Sequence, residues 1–144
     1  MKILFDTSVL VAALVESHPA HKRAFPWLKQ ARANEFDMIV AAHTIAELYA
    51  VLSTLPIKPR ISPLVARKLI SENIETVAKI ISLTPREYLS VIKKISEFGL
   101  SGGITYDALI AKVAQKANVE RLLTLDADHF TRVWPDGDQL IVVP

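Results

Sequence analysis

Three apolar runs in this chain each deliver a carboxylate to the start of a helical segment. The pairs are the run 3–5 with Asp6, the run 38–42 with Glu47, and the run 121–125 with Asp126. A fourth acid, Asp107, opens a helix of its own. In a parallel α/β sheet the carboxyl ends of the strands lie at one edge, where open sheets place their ligand sites. We therefore expect these acids, which are far apart in sequence, to meet in one pocket.

Strand-like segments alternate with helix-like segments along the whole chain. Strands are predicted over residues 2–5, 36–42, 77–83, 122–125 and 139–143. Helices are predicted over residues 9–14, 18–34, 45–52, 64–74, 85–98, 106–117 and 126–132. This order favours a parallel sheet with right-handed crossover connections. We predict an α/β fold in which residues 1–144 form a single domain around a central parallel sheet of about five strands.

Several helix starts carry residues that commonly cap helices. Two pairs match the capping-box pattern, namely Thr44 with Glu47 and Thr84 with Glu87. Thr105 is predicted to cap the helix that follows it. Each acid of the expected pocket also has such an explanation, because Asp and Glu are common at N-caps and in first turns. Capping alone does not require the acids to follow strands at one sheet edge, whereas a shared site does.

The composition excludes several classes of protein. Hydrophobic residues make up 51% of the chain and charged residues 22%, which is ordinary for a folded globular domain. There is no cysteine, so any metal must bind to oxygen or imidazole, and a reducing cytoplasm is the expected location. No apolar run approaches the roughly 18 residues that span a membrane, so no membrane partner is expected. With net charge +2 and several acids gathered in one pocket, the remaining surface is basic enough to suit a polyanionic partner.

Crowded carboxylates favour one kind of chemistry. They repel one another, and some must bind protons or metal to stay together. Mg²⁺ and Mn²⁺ prefer oxygen ligands, and a cation held by carboxylates can bind a phosphate oxygen and lower the pKa of a bound water. Phosphodiester hydrolysis is therefore the expected reaction. An aspartyl-phosphate phosphatase would need an aspartate where Ser8 stands, and a phospho-receiver would need one where Thr84 follows the third strand.

Four stretches of the sequence carry a family resemblance. They are Phe-Asp-Thr-Ser at 5–8, the helix that contains Glu47, Gly-Ile-Thr-Tyr-Asp-Ala-Leu-Ile-Ala at 103–111, and Leu-Thr-Leu-Asp-Ala-Asp-His-Phe at 123–130. The chain resembles the PIN-domain ribonucleases, and within them the VapC toxins of type II toxin–antitoxin systems. The resemblance implies a three-layer PIN-like sandwich with the activity of a metal-dependent endoribonuclease. It implies that the catalytic residues, which also bind Mg²⁺ or Mn²⁺, are Asp6, Glu47, Asp107 and Asp126.

The same resemblance implies supporting residues and partners. Thr7 or Ser8 would orient the first acid or a metal-bound water. Asp128 is an alternative fourth ligand, but Asp126 is preferred because it follows the strand directly. The implied partners are an RNA substrate, a cognate antitoxin and a second copy of the chain, and the mean hydropathy of +0.28 also favours an apolar contact surface. A housekeeping PIN nuclease in RNA processing and a catalytically inactive PIN-like binding module remain the alternatives.

The histidines are the residues whose role is least specified by the sequence. We interpret them as surface or capping residues, because none forms a close His pair that faces an acid on one helix face. His43 is the strongest exception, since it lies near Glu47.

Overall fold

A five-stranded sheet forms the middle of this computed structural model, which describes all residues from 1 to 144. The strands are β1 (Lys2–Phe5), β2 (Asp37–Ala41), β3 (Lys79–Ile81), β4 (Arg121–Leu123) and β5 (Ile141–Val142). Their order across the sheet is β3-β2-β1-β4-β5, and every pairing is parallel. The predicted α/β fold with a central parallel sheet is confirmed.

Helices cover both faces of the sheet. They are α1 (Thr7–Leu14), α2 (His21–Arg32), α3 (Ala42–Leu52), α4 (Pro63–Ile70), α5 (Pro85–Glu97), α6 (Ile104–Lys116) and α7 (Ala127–Val133). A π-helical turn over Ser71–Glu75 extends α4, and a 3₁₀ segment over Pro135–Leu140 precedes β5. None of these helices has the length and apolar character that crossing a membrane requires.

Two hydrophobic cores lie on opposite sides of the sheet, so the molecule has three layers. Side chains of α1 to α4 fill one core, and side chains of α5 to α7 fill the other. Strand β1 contributes to both, because neighbouring side chains of a strand point to opposite faces. Leu4 packs into the α5 to α7 core, whereas Ile3 and Phe5 pack into the α1 to α4 core. Burial on both faces explains why β1 is apolar at every position between Lys2 and Asp6.

The register of β1 determines where its acid lies. Phe5 stands opposite Leu123 of β4, and the Asp6 amide donates to the Leu123 carbonyl over 2.9 Å. The pairing of β1 with β4 thus continues to the residue that follows the strand. Asp6 thereby lies beside the turn that leads from β4 into α7.

The prediction that Thr44 caps α3 in a capping box is wrong. The helix begins at Ala42, directly after β2 and three residues before the predicted start, so Thr44 lies inside it. The Thr44 side chain is completely buried, and its hydroxyl accepts a hydrogen bond of 3.3 Å from the Thr7 hydroxyl. It therefore joins α3 to α1, and Glu47 is left without a capping partner.

Of the other two predicted helix caps, Thr84 is confirmed and Thr105 is wrong. The capping box of α5 is confirmed: the Thr84 hydroxyl accepts from the Glu87 amide, and the Glu87 carboxylate accepts from the Thr84 amide. Thr105 does not cap α6, because the helix begins at Ile104 and Gly103 takes the N-cap position. Strand β1 has its predicted bounds, whereas the other four strands are shorter than predicted.

Candidate active site

An open cleft of about 380 Å³ lies at the carboxyl edge of the sheet. All four acids singled out from the sequence line it, although they come from different elements. The remaining lining residues are Thr7, Ser8, Val11, His18, Val51 and Leu125. The four acids therefore meet in one pocket, as expected from the sequence.

Two of the acids lie at the N-cap position of a helix but do not cap it with their side chains. Asp6 stands at the N-cap of α1 and Asp126 at the N-cap of α7, yet neither side chain accepts a capping hydrogen bond. Both carboxylates are thus free of the role that usually places an acid there. They line the cleft instead.

Asp6 is the most deeply buried of the four acids, with 3% of its surface exposed. Burial raises the pKa of its carboxyl group, and the charge of Asp126 raises it further. Hydrogen bonds oppose this effect and lower the pKa. The Ser8 hydroxyl donates to Oδ2 over 2.7 Å, and the Thr124 hydroxyl donates to the same oxygen over 2.8 Å. The net pKa of Asp6 remains raised.

The two hydroxyls that hold Asp6 also organise the turn after β4. Ser8 Oγ accepts a hydrogen bond of 3.0 Å from the Leu125 amide, and Thr124 Oγ1 accepts one of 2.9 Å from the Asp126 amide. Each hydroxyl therefore donates to the acid of β1 and accepts from the backbone beside β4. This network fixes Asp6 relative to the turn that carries Asp126.

Sequence reasoning missed Thr124. It is completely buried, and its hydroxyl is engaged both as donor and as acceptor. The only indication in the sequence is that a hydroxyl residue interrupts an otherwise apolar run directly before Asp126. A buried threonine must satisfy its hydroxyl, and the acid on the neighbouring strand supplies the acceptor.

Asp107 has a partner that was not predicted either. Nδ1 of His129 lies 3.0 Å from Oδ2 of Asp107, so α7 and α6 are joined at the edge of the cleft. The pKa of Asp107 is raised to about 6, first by burial and next by the charge of Asp6, while His129 lowers it. His129 is a surface residue, as predicted, since half of its side chain is exposed, but its contact with Asp107 was not predicted.

Glu47 also contacts a histidine, namely the exception named from the sequence. Nε2 of His43 lies 3.2 Å from Oε2 of Glu47, one helical turn away on α3. The Glu47 side chain is about a third exposed, at 32%. Glu47 is therefore more exposed to solvent than Asp6.

The predicted supporting residues are Thr7, Ser8 and Asp128, and they differ in what they contact. Of the two hydroxyls expected to orient the first acid, Ser8 contacts Asp6, whereas the Thr7 hydroxyl donates to Thr44. Asp126 lines the cleft, but Asp128 is not among its lining residues. Asp126 and not Asp128 is thus at the cleft, but the predicted reason is wrong, because β4 ends at Leu123 and Asp126 does not follow the strand directly.

The donor set of the cleft fits a hydrated divalent cation. No group of three or more Asp, Glu or His side chains is close enough here to hold one ion between them. Mg²⁺ usually keeps several waters and is bound through one or two carboxylates, so it does not need such a group. The repulsion that raises the pKa of Asp107 in the presence of Asp6 and Asp126 is the condition that a bound cation relieves.

The sequence profile of the PIN domain matches residues 3–134. The chain belongs to the PIN-domain family. It is most usefully compared with ribonuclease VapC27 of Mycobacterium tuberculosis, to which it is 34% identical over 122 residues. That alignment covers 85% of this chain and 82% of VapC27.

Solved structures with the same fold include one that is described as a toxin. The crystal structure of Mycobacterium tuberculosis VapC20, described as a toxin that cleaves the sarcin–ricin loop, superposes with a TM-score of 0.69 at 16% identity. The aligned region covers 88% of this chain and 92% of VapC20. VapBC2 from Rickettsia felis, bound to a DNA fragment from its promoter, gives a TM-score of 0.66 at 20% identity and covers 99% and 98% of the two chains. At these identities the likeness establishes the fold alone.

Proposed function

We propose that this protein is an endoribonuclease of the VapC type, which hydrolyses phosphodiester bonds in RNA. One observation carries the proposal: four acids from separate elements line a single cleft at the carboxyl edge of the sheet. Two of them, Asp6 and Asp107, have pKa values raised by burial and by neighbouring carboxylates. Perturbed acids in a cleft are typical of functional sites. The relatives of known name, such as VapC27, are ribonucleases.

The proposed cofactor is Mg²⁺ or Mn²⁺, with Asp6, Glu47, Asp107 and Asp126 as its ligand set: one or two of these carboxylates would bind the ion directly, and the others would bind it through waters. Such an ion, when bound, activates water as a nucleophile and offsets negative charge on the phosphate. The chain's own residues prepare the site for it. Ser8 and Thr124 stabilise the charged form of Asp6, and His129 stabilises that of Asp107, so both acids are held in place by donors. Asp128 is left outside this set, as a surface acid of α7.

The proposed biological role is that of the toxin in a toxin–antitoxin pair. This role would give the chain a cognate antitoxin and, by analogy with the family, a second copy of itself as partners. Exposed apolar side chains are available for such contacts, since Leu64 of α4 is 71% exposed and Leu89 of α5 is 72% exposed. The cytoplasmic location expected from the absence of cysteine is part of the same proposal.

Incubation of the purified protein with a panel of single-stranded and looped RNAs tests the proposal. We expect cleavage in the presence of Mn²⁺ and loss of cleavage after addition of EDTA. Undiminished cleavage in EDTA would contradict the metal requirement. A folded protein that cuts no RNA of the panel, with either Mg²⁺ or Mn²⁺, would contradict the nuclease itself.

A further inference from the structure

An aromatic pair lies next to two acids of the cleft, although neither ring lines the cleft itself. The rings of His43 on α3 and Tyr106 on α6 are stacked, with centroids 4.9 Å apart and planes inclined by only 7°. The pair joins two helices that belong to different layers of the sandwich. Although His43 covers one face of the tyrosine ring, 50% of the Tyr106 surface remains exposed.

Both members of this pair are adjacent to candidate catalytic acids. Tyr106 directly precedes Asp107 in the first turn of α6. His43 holds Glu47 through the contact of 3.2 Å between Nε2 and Oε2. An RNA strand whose phosphate lies between these acids would therefore bring its bases close to the exposed part of Tyr106.

Half of the Tyr106 surface is available to a ligand while the ring is held by His43. An aromatic ring buries apolar surface when it can, and exposed rings that are held rigidly are typical of binding surfaces. Single-stranded RNA offers unstacked bases that pack on such rings, and every base has a face suited to it. The tyrosine is also preorganised, because the His43 ring fixes its orientation before any ligand binds.

The other two tyrosines provide a comparison within the same chain. Tyr49 and Tyr88 are each 40% exposed, which is close to the value for Tyr106. Neither forms a stacked pair with another ring. None of the three tyrosines lines the acidic cleft, but only Tyr106 directly precedes one of its acids. Tyr106 thus differs from them in its support and in its position, not in its exposure.

We propose that Tyr106 positions the substrate by stacking on a nucleobase next to the phosphodiester bond that is cut, with His43 as the supporting ring. This inference rests on the proposed ribonuclease function. It assigns to the Tyr106 ring a contact with one base of the RNA. It does not assign a step of bond cleavage to this residue.

Removal of single bases from the substrate tests the contact. A cleavable RNA is prepared as a series in which one nucleotide at a time is abasic, and kcat/KM is measured for wild type and for Tyr106→Ala. For wild type, we expect the loss of one particular base near the cut to lower kcat/KM by roughly 10- to 100-fold, the range for base stacking on an aromatic ring. For Tyr106→Ala, we expect a similar loss with intact RNA and no further loss when that base is removed.

Control variants separate stacking from structural effects. Tyr106→Phe keeps the ring and should retain the wild-type abasic profile, and so should Tyr49→Ala, which removes a tyrosine of similar exposure. Tyr106→Leu keeps apolar bulk between α3 and α6 but not the ring, so it should behave like Tyr106→Ala even if the alanine variant folds poorly. An equal abasic sensitivity in Tyr106→Leu and wild type would overturn the proposal.

Other outcomes are equally informative. A uniform loss of rate in Tyr106→Leu, with every abasic penalty unchanged, would make the pair a structural tie between α3 and α6 only. Loss of antitoxin binding in Tyr106→Leu, with the RNA profile unchanged, would make the ring a protein-binding residue, which also contradicts the inference. Absence of RNA cleavage by wild type would instead refute the proposed function, and the inference would fall with it.

Discussion

The hydroxyl of Thr124 donates a hydrogen bond of 2.8 Å to Oδ2 of Asp6, although the two residues lie 118 positions apart in the chain. Both are buried, with exposed fractions of 0% and 3%. The acid that follows β1 is therefore held by the residue that follows β4 on the neighbouring strand. Parallel pairing in register creates this contact, because it places the ends of adjacent strands side by side.

Replacement of Thr124 by valine tests the importance of this contact. The side chains have nearly the same shape, so Thr124→Val removes the hydroxyl without opening a cavity. It leaves the Asp126 amide without its acceptor and Asp6 with one donor fewer. We expect a loss of about 1–3 kcal/mol in the free energy of unfolding, as for a buried group left unsatisfied. Urea denaturation measures this loss, and Thr124→Ser, which keeps the hydroxyl, should retain more stability than the valine variant.

Asp107 should make the stability of the metal-free protein depend on pH. The pKa of Asp107 is about 6 in the folded protein, compared with the ordinary value of 3.8 expected in the unfolded chain. Ionisation of Asp107 is therefore less favourable in the folded protein. The folded state therefore loses stability as the pH rises from about 4 to about 6, and the loss is complete above that range. Asp107→Asn removes the charge and should raise the melting temperature in EDTA at pH 8, with little effect at pH 4. The gain in free energy is at most about 3 kcal/mol. A variant that is destabilised at pH 8 would contradict this electrostatic account.

Glu87 should make stability change with pH in the direction opposite to that of Asp107. Its pKa is lowered to about 2, mainly by the Lys116 side chain, whose Nζ lies 2.8 Å from Oε1, and also by the Thr84 amide of the capping box. This contribution to stability is present above the reference pKa of 4.5 and is lost as the pH falls towards 2. We expect Glu87→Gln to have a lower melting temperature than wild type at pH 7 and a similar one near pH 2. RNA cleavage should be unaffected, because Glu87 lies outside the cleft.

Metal binding should be detectable without any RNA. An ion that binds only the folded state raises stability by about 2.7 kcal/mol at a concentration one hundred times its Kd. We expect Mn²⁺ to raise the melting temperature of wild type and EDTA to reverse the increase. The increase should be much smaller for Asp6→Asn and should persist for Asp128→Asn, because Asp6 lines the cleft and Asp128 does not. Equal increases in the two variants would place the ion elsewhere.

The strand ends and their acids were predictable because two simple rules determine them. An apolar run bounded by a polar residue gives the end of a buried parallel strand, and parallel strands end at one edge. Asp6 was located in this way, directly after β1, whereas β4 ends at Leu123, three residues before Asp126; both acids line the cleft. The α5 capping box was predictable for a similar reason, since Thr84, Pro85 and Glu87 act within one turn.

Tertiary contacts explain the failures. Thr44 matches a capping box locally, but α3 begins directly after β2, and burial against Thr7 then decides the role of its hydroxyl. The contact of Thr124 with Asp6 depends on which strands are neighbours, and local sequence does not contain that information. The contact of His129 with Asp107 likewise depends on how α7 packs beside α6.

Single-turnover cleavage of one RNA tests most directly whether the four acids form one catalytic site. The variants are Asp6→Asn, Glu47→Gln, Asp107→Asn and Asp126→Asn, each checked for a native circular dichroism spectrum, with Asp128→Asn and Glu87→Gln as controls. We expect each of the four substitutions to lower the cleavage rate by at least about 100-fold, because removal of one charge-stabilising group from an active site typically has an effect of this size. The two controls should cleave at close to the wild-type rate. A folded Asp6→Asn or Asp107→Asn variant that cleaves as fast as wild type would contradict the account.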